Sequence, residues 1–110
     1  TNAPRGLRTR ATITLTTTTE TTLLTAVAAT FLDVTKLIVS NTSGTAVRVD
    51  FRDTTAGTVM LSIYAPAGQT VGFTDSTDPV EQAAVNTNWT AQLSAAVTDV
   101  RIFAQAVRNI

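Results

Sequence analysis

Residues 47–52 read VRVDFR, an unbroken alternation of apolar and charged side chains. Side chains on a strand change face at every residue, so Val47, Val49 and Phe51 share a dry face and Arg48, Asp50 and Arg52 a wet one. Just upstream, Leu37-Ile38-Val39 is apolar on both faces and fits a strand covered on both sides. Between these arms lies Asn41-Thr42-Ser43-Gly44, where Asn and Gly tolerate the positive φ of a tight turn. The spacing therefore predicts a β-hairpin over residues 35–52. Two strands alone are marginal in water, so further strands must cover the dry face.

Those strands are readable on either side. Residues 10–15 (RATITL) set Ala11, Ile13 and Leu15 against Thr12 and Thr14, which predicts a first strand. Residues 16–20 contain nothing apolar and read as a loop or an edge. Residues 21–29 (TTLLTAVAA) fit a short helical turn as well as a strand; flanking Thr favours the strand. A turn at residues 53–57 leads to a strand over 58–65, with Val59, Leu61 and Ile63 on one face. Pro66-Ala67-Gly68 ends it, since Pro fixes φ and supplies no donor. Residues 69–74 form a short strand in which Gly72 marks a bulge or a close backbone approach. After a loop at 75–79, residues 80–88 have weak periodicity and are expected to cross between sheets. Strands over 89–93 and 100–107 complete the set. Seven to nine short strands separated by turn signals predict an all-β, antiparallel β-sandwich, jelly-roll-like, preceded by an extended N-terminal arm. Periodicity leaves jelly-roll and immunoglobulin-like topologies open, although the Cys and Trp spacing of immunoglobulin domains is missing.

At 110 residues the chain has room for one core, which places an arm at residues 1–10 and a sandwich domain at 11–110. Thr fills 24 positions, in keeping with the strand bias. Eight bases balance eight acids, which argues against bulk nucleic-acid or anionic-membrane binding. The distribution is uneven: Arg5, Arg8 and Arg10 lie in an arm with no acid, leaving five bases against eight acids in the remainder. A basic arm can dock on an acidic neighbour, with Leu7 as the large apolar side chain it can insert; a solvated, frayed end is the bland alternative. No apolar run approaches the roughly 18 residues of a membrane span. The opening TNAPRGLR has no apolar h-region, so it does not read as an intact signal peptide, and this opening lacks Met, so an initiator or a longer leader is expected to have been removed or left out.

The chain has neither His nor Cys. That removes Ser-His-Asp and Cys-His nucleophilic sites, His- and thiolate-bound metals, disulfides, and the commonest general base at neutral pH. Asp50 and Asp53 are close in sequence, but Asp50 falls between Arg48 and Arg52 on the wet face, where ion pairing is expected. Asp75 and Asp78 bracket a loop that offers few oxygen ligands for Ca²⁺ and reads as a plain turn. No phosphate-cradling glycine loop appears, and no catalytic, metal or cofactor site is expected. Asn41-Thr42-Ser43 and Asn88-Trp89-Thr90 match the glycosylation acceptor pattern, as chance allows in so Thr-rich a chain. Tyr64 and Trp89 could stack on a sugar ring, which makes a carbohydrate-binding or adhesin-like module the alternative to a structural protein.

Residues 23–107 resemble small β-sandwich virion proteins of tailed bacteriophages. The similar run begins TTLLTAVAATFLDVTKLIVSNTSGTAVRVDFRDTTAGTV, continues through the APAG turn at residues 65–68, and ends in NWTAQLSAAVTDVRIFAQ. The resemblance implies a non-enzymatic virion structural protein, most simply a capsid decoration or cement protein at the head surface, or else a small neck or tail component. It implies partnership with further copies, as a trimer, and with a major capsid protein; no specific nucleic acid and no membrane is expected. It supplies no catalytic residues. Arg5, Leu7, Arg8 and Arg10 lie outside the similar region, so their expected role in partner binding rests on charge.

Overall fold

The computed structural model describes residues 7–74 and 79–109. Eight strands form: β1 (Arg8–Leu15), β2 (Thr21–Leu24), β3 (Phe31–Asn41), β4 (Val47–Arg52), β5 (Val59–Ala65), β6 (Gln69–Thr74), β7 (Trp89–Leu93) and β8 (Val100–Asn109). They make two four-stranded antiparallel sheets, a first with order β1-β8-β3-β6 and a second with order β2-β7-β4-β5. This is the eight-stranded, doubly Greek-key arrangement of a jelly roll. The sandwich expected from the alternation is therefore present, and its topology is resolved.

The hairpin predicted over residues 35–52 is not. β3 pairs with β8 and β6, whereas β4 pairs with β7 and β5, so residues 42–46 carry the chain from one sheet to the other. Asn41 serves there as a corner clamp. Its Nδ2 donates to the carbonyls of Thr45 (2.8 Å) and Ala65 (3.0 Å), and its Oδ1 accepts from the Ser43 N–H (3.0 Å) and hydroxyl (2.6 Å). Neither Asn41 nor Gly44 adopts the positive φ on which the hairpin prediction rested. Among the described residues, successive strands pair directly only in β4–β5, whose turn places Ala56 at φ 61°.

Other boundaries move for local reasons. β1 begins at Arg8, because Thr9, opposite Ala106, continues the inward set of Ala11, Ile13 and Leu15. Arg8, Thr9 and Arg10 thus belong to the sandwich and not to an arm. β2 stops at Leu24: its register shifts between Thr22 and Leu24, and the chain then turns through Ala29 at φ 55°. Gly72 is a close backbone approach, since a Cβ there would meet the Leu37 carbonyl oxygen at 2.0 Å.

One core fills the space between the sheets. Trp89, Phe51, Leu32, Leu37 and Ile102 are its largest buried side chains, and Ala91, Ala104 and Ala106 make room beside them. The Trp89 indole N–H donates to the Leu32 carbonyl (2.6 Å), as a buried indole requires. Residues 79–88 cross between the sheets as expected. Val80 bridges to Val34, and buried Gln82 locks the crossing: its N–H donates to Asp33 Oδ1, its Oε1 accepts from Leu32 N–H, and its Nε2 donates to the Asp53 and Thr87 carbonyls.

Candidate functional site

The outer face of the first sheet is a regular grid fixed by strand register. One row runs Thr14, Arg101, Ser40, Thr70; the next Thr12, Phe103, Ile38, Gly72; the next Arg10, Gln105, Lys36, Thr74. Arg8, Val107 and Asp33 begin a fourth. The face therefore gathers Arg8, Arg10, Lys36 and Arg101 around a half-buried apolar centre of Phe103 and Ile38, with the Lys36 ammonium 5.8 Å from the Phe103 ring. The four strands contain a single carboxylate, Asp33. It is buried, bonded to the Gln82 N–H and the Asn109 side-chain amide. Asp99, just before β8, lies 3.7 Å from Arg101 and accepts from the Thr42 hydroxyl. Arg8, Thr9, Arg10 and Gln105 line an open depression of about 420 Å³ at the β1 edge.

The outer face of the second sheet is electrically self-satisfied. Arg48 grips Asp50 through two nitrogens (2.9 and 3.3 Å), and Ser62 donates to the same carboxylate (2.7 Å). Burial alone would raise the Asp50 pKa, but the Arg48 and Ser62 hydrogen bonds, with the charges of Arg48 and Arg52, hold it below the ordinary carboxylate value. Arg52 donates to Gln92 Oε1 (2.6 Å) and the Gly57 carbonyl (2.9 Å). Glu20 accepts from the Thr90 hydroxyl (2.5 Å) and the Ala56 N–H (3.0 Å), contacts that outweigh its partial burial and lower its pKa. The Asp50 ion pair expected from sequence is present; Asp53 instead turns inward and accepts from the Ala83 N–H (2.9 Å).

At the rim, β5 and β6 each end a sheet and contain no charged residue. Val59, Met60 and Tyr64 on β5 are 37%, 44% and 63% exposed. The opposite rim is different: β1 carries Arg8 and Arg10, and β2 is four residues long.

The residues singled out by sequence are dispersed. Leu7 is exposed ahead of β1, Arg8 and Arg10 stand on the cationic face, and Arg5 lies outside the described residues. Tyr64 is exposed on the second sheet, but Trp89 is 1% exposed in the core. A sugar platform built from both rings is therefore ruled out, because the alternation of Trp89, Ala91 and Leu93 turns the indole inward. Asp75 and Asp78 fall outside the described residues, and among the described residues no group of three potential metal ligands occurs. Asn41 is buried with its amide engaged, and the Asn88 Oδ1 accepts from Ala26 N–H (2.6 Å). Sequence reasoning missed Lys36 and Arg101 as companions of Arg8 and Arg10. Their outward parity was visible; their adjacency depends on β8 entering between β1 and β3.

No family model matches the chain, and no curated protein matches it. Among solved structures, a chain of the Bacillus endospore appendages, a family of disulfide-linked pili, superimposes with a TM-score of 0.56 at 15% identity. The match covers 93% of this chain and 85% of the other, and at that identity it is a likeness of fold.

Proposed function

We propose that this chain is a non-enzymatic structural subunit that assembles with copies of itself. The observation that carries this reading is the β5–β6 rim, two adjacent, uncharged edge strands with Val59, Met60 and Tyr64 exposed. Edge strands left open in solution are normally blunted by charge, proline or brevity, and β5 has none of these along its seven residues. A neighbouring subunit that covers this rim removes both the open hydrogen-bonding groups and the exposed apolar side chains from water. In its finer form the proposal is a decoration or cement protein on a virion head, a trimer bound to a major capsid protein. That form is supported by the resemblance of residues 23–107 to tailed-phage virion proteins.

The pilus fold neighbour supports a second form, an open filament of subunits. This chain contains no Cys, so its copies would be held without the disulfides of that neighbour. Sedimentation combined with electron microscopy of the purified protein separates the forms, as closed trimers or as filaments. Met60→Lys with Tyr64→Lys should shift either assembly to monomers while leaving the sandwich folded. A native protein that stays monomeric at high concentration, both alone and on phage heads, overturns the proposal.

A further inference from the structure

We infer that the β1 end of the first sheet's outer face is a binding site for a doubly charged oxyanion, a phosphate group, held between Arg8 and Arg10. The sequence Arg8-Thr9-Arg10 puts two guanidiniums on one face of an edge strand, about 7 Å apart. Register sets Gln105 of β8 beside Arg10, and Lys36 of β3 on the far side of Gln105, about 10 Å from Arg10. Three cations thus surround one carboxamide. Arg8, Thr9, Arg10 and Gln105 line the open depression of about 420 Å³, a volume in the range of small-ligand sites. Among the described residues no carboxylate forms an ion pair with Arg8, Arg10 or Lys36; the pairs there are Arg48–Asp50 and Arg101–Asp99. Asp33, the one carboxylate of these strands, stands beyond Val107 from Arg8, about 10 Å away, buried and bonded to the Gln82 N–H and the Asn109 amide. Like charges held side by side on a sheet cost stability, and a bound anion restores it.

The donor set selects the ligand. Arginine offers only donors, in planar forks that each match two oxygens. A carboxylate has two oxygens and fills one fork, which leaves the second guanidinium and Lys36 uncompensated. A phosphate monoester carries a charge of about −2 at neutral pH on three terminal oxygens, enough to engage both forks and the Gln105 amide together. A phosphodiester carries a single charge on two free oxygens and again leaves the site cationic. Arg101 shares the face but not the site. It lies four residues from Gln105 on β8, about 13 Å away, with Asp99 at 3.7 Å. The depression opens on solvent, so it admits the free anion and the phosphate end of an ester alike. The site is separate from the β5–β6 rim and stands independently of the self-assembly reading.

Equilibrium dialysis of the native chain against radiolabelled inorganic phosphate or glycerol phosphate, at about pH 8 and about 0.1 M sodium chloride, tests this in any assembly state. Binding should saturate at one equivalent per chain. Arg8→Gln with Arg10→Gln should weaken it by about tenfold or more; Arg8→Lys with Arg10→Lys, which keeps both charges but loses the forks, should weaken it by about threefold or more. Arg101→Gln removes a charge from the same face but beyond the Debye length of about 10 Å, and should change binding by less than about twofold. Circular dichroism should show all three variants folded, since Arg8, Arg10 and Arg101 are exposed on strands. Binding of both probes supports a site for phosphate groups in general, and binding of inorganic phosphate alone supports a site for the free anion. The inference is overturned by absence of saturable binding, by acetate binding as tightly, or by native-like binding in either double variant. A loss in Arg101→Gln as large as in the double glutamine variant overturns it too. So does displacement of phosphate by an oligothymidylate without terminal phosphates, which would reassign the face to nucleic acid.

Discussion

Replacing Gln82 by glutamate should make the fold's stability depend on pH in a way the native chain's does not. The Gln82 side chain is 4% exposed and spans both sheets' loops. Its Oε1 accepts from Leu32 N–H at 2.8 Å; its Nε2 donates to the carbonyls of Asp53 (3.1 Å) and Thr87 (2.8 Å) and to the Thr87 hydroxyl (2.9 Å). Gln82→Ala leaves the buried Leu32 N–H without its partner, while Asp53 keeps the Thr87 hydroxyl (3.0 Å). One orphaned donor and the loss of the remaining bonds give about 2–4 kcal/mol, at any pH. Gln82→Glu differs. An ionised carboxylate still accepts from Leu32 but points lone pairs at the Asp53 and Thr87 carbonyls, close to the Asp33 carboxylate that accepts from the backbone of the same residue. A protonated carboxyl supplies one donor and one acceptor and nearly restores the native pattern. The folded state therefore raises the introduced group's pKa. It binds a proton that the unfolded chain has already released, so stability relative to native falls as pH rises from the unfolded value of about 4.3 through the folded one, and is flat above it. Urea unfolding of native, Gln82→Ala and Gln82→Glu at several pH values between 4 and 8 checks this. Parallel curves for Gln82→Glu and native, or a Gln82→Ala cost below about 0.5 kcal/mol, would refute the account of Gln82 as the lock on residues 79–88.

Acid should loosen the outer face of the second sheet. Asp50 and Glu20 both have lowered pKa values, so their stabilisation is complete above the unfolded carboxylate pKa and is lost as pH falls through the folded one; Asp50→Asn should flatten the acid side of the Tm profile. Gly72→Ala should destabilise strongly or force β6 away from β3, because its Cβ would lie 2.0 Å from the Leu37 carbonyl oxygen; a Tm within a degree or so of native refutes the close approach. Ala56→Gly should raise stability by about 0.5–1 kcal/mol in chemical unfolding, since Ala56 holds φ 61° in the β4–β5 turn and uses only its backbone N–H to reach Glu20.

Which way a side chain faces was legible because it is decided by a residue's immediate neighbours. VRVDFR gave its buried and wet sets without error, and the same parity applied to WTAQL turns Trp89 inward. Which strand lies beside which was not legible. Asn41-Thr42-Ser43-Gly44 has the composition of a hairpin turn, but Asn suits a side-chain-clamped corner equally well, and only the distant pairing of β3 with β8 decides between them. For the same reason the arginines of β1 were visible as charges but not as one face with Lys36 and Arg101. Gln82 gave no signal at all. It sits in an aperiodic stretch, and a buried amide becomes intelligible only when the orphaned N–H and carbonyl groups of three other segments converge on it.

β8, the last of the eight strands in chain order, is an interior strand of its sheet, hydrogen-bonded along one side to β1 and along the other to β3. A ribosome making this chain therefore releases β1 and β3 long before the strand that must join them exists. Leu15 waits for Val100, and Arg8 for Val107. Until then β1 has no partner and β3 can pair only with β6, while the core-facing residues of the first sheet remain wet. Closing loops of this length is slow, and chains that depend on it expose unpaired strands while they wait. For a chain whose folded form presents the open β5 and β6 edges, the interval before β8 inserts is when correct folding competes most directly with aggregation, and a chaperone or a slowed supply of chains would have its largest effect there.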